Sequence, residues 1–138
     1  MPTRSASAKW EGGLKGGKGT FTGQTGLGGQ YNFSSRFENG AGSNPEELLA
    51  AAHAGCYSMA LSFMLQNAGF TANRIDTRAD VQMETSPGPH AAGVHLTVTA
   101  SVPGIDAATF AGIADNAKAN CVISRALSIP VTLDAKLA

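Results

Sequence analysis

The 138-residue sequence predicts an α+β fold, a single domain over 1–138 with elements in the order βββ-α-ββ-α-β. Three observations carry this. The glycine-rich first forty residues hold short stretches of alternating polarity, an almost continuously apolar segment begins at Asn44, and period-two runs after it flank one amphipathic helical pattern.

Residues 5–10, 20–25 and 30–37 read as three strands joined by Gly-rich turns. From 44 to 68 the sequence is dense in Ala, Leu and Met, apolar on nearly every side, which predicts a long buried helix. Asn44 can cap it, Pro45 suits the first helical position, Glu47 stands where a capping box needs it, and Gly69 marks the end. Residues 75–85 and 94–102 read as strands paired in a hairpin across SPGPHAAG, with Val94, Leu96, Val98, Ala100 and Val102 at period two. Asp106 caps a second helix on which Phe110, Ile113, Ala114, Ala117 and Cys121 form one stripe. A short helical turn at 124–127 leads to a last strand at 129–133.

One six-stranded sheet covers a single face of a helix, and a helix apolar all round needs cover on more than one. A homodimer with the 44–68 helix at its centre is therefore expected, the strands of 1–40 joining the dimer sheet.

Ten Lys and Arg balance ten Asp and Glu, so no net field draws the chain to nucleic acid or to an anionic membrane. The first residues lack the apolar stretch of a signal peptide, and no run approaches the roughly 18 apolar residues of a membrane span. A cytoplasmic protein is the expectation. Two cysteines permit one internal pairing, and in a reducing compartment such a pair is more often redox-active or free than a structural staple.

Cys56 falls in the middle of the long helix, away from the N-terminal dipole that lowers a thiol pKa, so it needs another activator. A buried cysteine is by default an inert small hydrophobe, and that reading stays open for Cys56 and Cys121 unless their sulfurs meet in space.

The run SSRFENGAGSNPEELLAAAHAGCYSMALS at 34–62, VPGIDAATF at 102–110, and the later Cys121 and Ser124 closely resemble the OsmC/Ohr family, most nearly its osmotically inducible branch. The resemblance runs over essentially the whole chain. It implies a thiol peroxidase that reduces organic hydroperoxides, and hydrogen peroxide more weakly, in oxidative and osmotic stress defence. It also implies an intertwined homodimer with two sites at its interface, an external dithiol reductant such as a lipoyl group, and no bound cofactor. Cys56 matches the family's peroxidatic cysteine, Cys121 its resolving cysteine, Arg36 its catalytic arginine, and Glu46 the glutamate that holds that arginine. Those roles make chemical sense, because a thiolate attacks the O–O bond while an always-charged guanidinium stabilises it and the departing oxygen. A carboxylate can fix that guanidinium bidentately. The family often has proline after the resolving cysteine, whereas Val122 stands here, so a looser or helical turn is expected at Cys121.

Ten residues of helix separate Glu46 from Cys56 by about 15 Å of rise, too far to share a site on one straight helix. Two antiparallel copies would set the first turn of one beside the middle of the other, joining Cys56 to Glu46 of the partner. Met59, Phe63 and Phe110 are candidates for an apolar wall near the cysteines, which would favour bulky organic hydroperoxides. Three rival readings remain. His53 and Cys56 share a helix face and, with Cys121 and another histidine, could ligate zinc. The fold could bind without catalysis, or Cys56 could serve acyl transfer, for which no histidine and carboxylate stand at a recognisable position.

Overall fold

The side chain of Asn44 accepts a hydrogen bond from the Glu47 N–H at 2.8 Å, and the long helix starts there. In the computed structural model, which describes residues 1–138, this helix is α2, Pro45–Asn67. It ends where Gly69 turns to φ +93°, the Phe70 N–H reaching back to the Leu65 carbonyl and the Gly69 N–H to that of Gln66.

The chain forms two compact units, 1–48 and 49–138. In the first, β1 (Ala6–Glu11), β2 (Lys18–Gly23) and β3 (Gly28–Tyr31) form an antiparallel sheet in that order. Gly19 pairs with both Trp10 and Tyr31, and a side chain on it would run into both rings. Every residue of β1 is exposed. The last part of the third expected strand is instead a short helix, α1 (Phe33–Phe37), because Asn32 and Ser35 close a reciprocal capping box at its start.

In the second unit, β4 (Arg74–Glu84) and β5 (His90–Ser101) form the expected hairpin, antiparallel with a bulge at Gln82 and Met83. β6 (Val131–Leu137) then lies parallel to β5, with Val94 opposite Val131 and Ala100 opposite Leu137. Parallel neighbours need a crossover, and α3 (Ala107–Asn120) with α4 (Val122–Ala126) supplies it. The expectation of one six-stranded sheet is thus corrected. There are two sheets of three, since the first three strands satisfy one another across short turns and β6 takes the free edge of β5.

The core of the second unit joins Tyr57, Leu61 and Leu65 of α2 to the period-two residues Val94, Leu96, Val98 and Ala100 of β5 and to Phe110, Ala114 and Ala117 of α3. The Tyr57 hydroxyl donates to the Ala114 carbonyl at 3.1 Å, fastening α2 to α3. The buried residues of α2 are His53, Tyr57, Leu61 and Leu65, one row at intervals of four. On the single chain Met59 and Phe63 are 78% and 64% exposed, on the side for which cover by a second copy was expected. A second correction concerns hydropathy. Although interspersed Ser, His and Gln break its apolar run, α2 is long and apolar enough, by length and composition, to cross a membrane.

Candidate active site

Cys56 sits at the middle of α2, on the side toward α4, half-buried beside the fully buried Cys121. Cys121 occupies the junction where α3 stops and α4 begins, serving as C-cap of one and N-cap of the other. Val122 opens α4 directly, so the turn after Cys121 is helical, one of the two forms expected without proline. The two thiols are close enough for each to shift the ionisation of the other. Both thiols are free and together line a depression walled by Met59, Ala60, Phe63 and Val122. Phe110 is not part of that wall, for it is 3% exposed and belongs to the core stripe of α3.

The two sulfurs differ electrostatically. Burial pushes the Cys56 thiol up, the neighbouring Cys121 adds to this, and the backbone N–H groups of Ile123 and Val122 oppose it. Burial acts on Cys121 in the same sense, but the Ser124 hydroxyl and N–H, each 3.4 Å from its sulfur, together with Cys56 and the Ile123 N–H, bring it below the ordinary thiol value. Cys56 still needs a cation.

His53, one turn before Cys56, is wholly buried and places Nε2 at 2.8 Å from the Ser124 hydroxyl, while its Nδ1 has no partner. Neither His53 nor Ser124 was marked by sequence as acting on Cys121. The available signal was that one stands three residues before Cys56 and the other three after Cys121. His53 is not joined by the other histidines: His90 bonds the Gly88 carbonyl and His95 bonds Thr132 and Asp134 on the sheet.

Burial lowers the His53 pKa below 6.5, so the unfolded chain binds the extra proton first. This contribution to stability is full above about pH 6.5 and is lost as pH falls through that value toward the folded pKa. Urea unfolding between pH 7.5 and 5 should show falling stability in the wild type and a flatter profile in His53→Gln; equal slopes would refute the assignment.

The other candidate residues fall in the first unit. Arg36, in the last turn of α1, grips Glu46, in the first turn of α2, with Nη2 to Oε1 at 2.7 Å and Nε to the two carboxylate oxygens at 3.2 and 3.3 Å. Glu46 is held in turn at a helix start that Asn44 ties to α1 through the Ser35 carbonyl at 3.1 Å. The guanidinium also lies 5.2 Å from the Phe37 ring centre. Beside it is a recess lined by Trp10, Leu14, Tyr31, Phe33 and Phe37.

Comparison with known proteins gives the family. The family model for OsmC-like protein matches residues 38–136, a span that holds Glu46, Cys56 and Cys121 and begins just after Arg36. The chain belongs to the OsmC family. It is 48% identical over 137 residues to Peroxiredoxin OsmC of Escherichia coli strain K12, covering 97% of this chain and 96% of that one, and equally to its namesake in Shigella flexneri. Likeness of that extent makes this OsmC family member a peroxidase. The fold is shared more widely. The organic hydroperoxide resistance protein OhrB of Bacillus subtilis superposes with a TM-score of 0.68 at 22% identity, over 97% of this chain and 98% of its own. An OsmC-like protein of Vibrio cholerae reaches 0.76 at 15% identity, over 98% and 99%.

Proposed function

We propose that the protein reduces organic hydroperoxides to alcohols in stress defence, through a sulfenic acid on Cys56 and a Cys56–Cys121 disulfide. The observation that carries this reading is that the two free cysteines border one depression, walled by Met59, Phe63 and Val122. Thiolate Cys56 attacks one peroxide oxygen, the O–O bond breaks, and the other oxygen leaves as an alkoxide that takes a proton. Cys121 then captures the sulfenic acid with loss of water, before further oxidation makes the damage irreversible. An external dithiol, for which a lipoyl group is suitable, returns the pair to thiols. Sulfur carries both electrons, so the cycle calls for no further cofactor, and free thiols of this kind suit the cytoplasm.

A thiol that burial pushes up needs a cation, and Arg36, aimed by Glu46, is the one assigned. Since about 15 Å of helix separates Glu46 from Cys56, the pair serves Cys56 of a second copy in a homodimer, to whose sheet the strands of 1–40 contribute. Three features support this: the uncovered Met59 and Phe63, the fully exposed β1, and the aromatic recess beside Arg36. With those apolar surfaces closing on the substrate, kcat/KM for cumene hydroperoxide should exceed that for hydrogen peroxide by about tenfold or more, in line with roughly 1.5–3 kcal/mol per buried apolar group. Steady-state peroxide consumption with a dithiol measures both, and an equal or reversed preference would defeat the organic assignment.

A further inference from the structure

His53 is a titratable group at zero exposure that the cycle above does not use. Its ring offers one donor and one acceptor nitrogen when neutral, and the chain gives only Nε2 a partner, the Ser124 hydroxyl at 2.8 Å. Two arrangements of the protons are available. With the proton on Nδ1, a buried N–H would be orphaned, and Nε2 would take the single hydroxyl proton of Ser124 away from Cys121. With the proton on Nε2, the imidazole donates to Ser124 Oγ and the hydroxyl proton points to Cys121 Sγ at 3.4 Å, beside the Ser124 N–H at the same distance. Orphaned buried N–H groups are rarer than under-used acceptors, and a buried imidazolium would expose an unpaired charge to an apolar surround. The second arrangement is therefore the stable one.

We propose that His53 is a positioning residue for Cys121: as a neutral imidazole protonated on Nε2, it locks the Ser124 hydroxyl as a donor to the Cys121 sulfur and so favours its thiolate. The role in turnover rests on the peroxidase cycle proposed above. In resolution, the Cys121 sulfur attacks the sulfur of the Cys56 sulfenic acid, the S–O bond breaks, and the hydroxide leaves as water with the proton of the Cys121 thiol. In reduction, the order of events follows from access. Cys121 is 1% exposed whereas Cys56 is only half-buried, so an external thiolate attacks Cys56, and the electron pair of the S–S bond passes to Cys121. A thiolate that leaves easily speeds that step, and the Ser124 donors supply this property. The titratable groups beside Cys121 are Cys56 and Tyr57 of α2. Burial keeps the Tyr57 phenol protonated, aided by Asp115 of α3.

The test needs no peroxide. In a Cys56→Ser background, Cys121 is the sole thiol, and its ionisation can be followed by thiolate ultraviolet absorbance. Ser124→Ala and His53→Leu should each raise its apparent pKa by about one pH unit, the worth of a hydrogen bond to a charged group. Ser124→Thr and His53→Gln, which keep the donors, should restore it. With both cysteines present, disulfide formation after a pulse of peroxide should slow about tenfold in the first two variants and recover in the second two. A Cys121 titration that Ser124→Ala does not move overturns the proposal, as does a folded His53→Gln chain that titrates like His53→Leu. If His53→Leu fails to fold, the alanine and threonine pair at Ser124 decides alone. Loss of the expected titration shifts with normal Cys56-dependent turnover would refute only this inference. Peroxide consumption that survives Cys56→Ser would refute only the cycle.

Discussion

Replacing Cys56 by serine should reduce dithiol-dependent peroxide consumption by roughly three orders of magnitude or more, the scale on which loss of a covalent nucleophile acts. The reason is the gap between sulfur and oxygen as nucleophiles. A thiol can ionise near neutral pH when a cation and N–H dipoles favour its anion, whereas a serine hydroxyl in the same place stays protonated. The backbone N–H groups of Val122 and Ile123 favour the anion of this sulfur, though they do not by themselves overcome burial. Cys121→Ser should behave differently. Attack by Cys56 remains, but its sulfenic acid has no thiol to meet, so one equivalent of peroxide leaves an added oxygen and excess peroxide drives Cys56 to the sulfinic state. Intact mass separates the cases, because the wild type should lose two hydrogens on forming its disulfide. Turnover that survives in Cys56→Ser would overturn the central assignment.

The long helix was legible because its signals are local. Asn44, Pro45 and Gly69 are caps and stops that act within one turn and lie where the sequence put them, whereas the Glu47 carboxylate accepts from the Ser43 hydroxyl instead of closing a capping box on Asn44. The β4 and β5 strands were legible for the same reason, in the period-two row ending at Ala100. What misled was sequence whose fate is decided at a distance. FSSRF alternates well enough to be a strand, yet the reciprocal bonds of Asn32 and Ser35 make it a helix. Nothing local tells β6 to run parallel to β5, since that depends on how two helices cross over between them. Phe110 sits on the same stripe as Cys121 and both are buried in the core, but Cys121 lies past the end of α3 and there also borders the depression it shares with Cys56, which Phe110 does not. The contact from His53 to Ser124 spans 71 residues and is created by that same crossover. Roles for Cys56, Cys121, Arg36 and Glu46 came from resemblance to a family; the spacing of these residues alone would have left each with an ordinary structural explanation.

Two inactive variants should restore each other if the active unit is a dimer that shares its sites. Arg36→Ala should lower kcat/KM by about a hundredfold, the cost of removing one group that stabilises developing negative charge. Cys56→Ser is inactive for the reason above. Arg36 and Glu46 are locked together within one chain by three hydrogen bonds, so they move as one piece to whichever cysteine they serve. If that cysteine belongs to the partner, a heterodimer of the two variants contains one site with every group intact and one with none of the essential pair. Random reassociation of equal amounts gives half heterodimers, so activity should return to about a quarter of wild type. If arginine and cysteine of one chain worked together, every site in the mixture would lack one or the other, and mixing would restore nothing. Light scattering on the same samples reports the oligomeric state directly, and a monomer with full activity would refute the shared site. The outcome also decides what covers Met59 and Phe63 on α2. Rescue requires that a second copy lie close to that face of the helix, because Cys56 is part of the same surface.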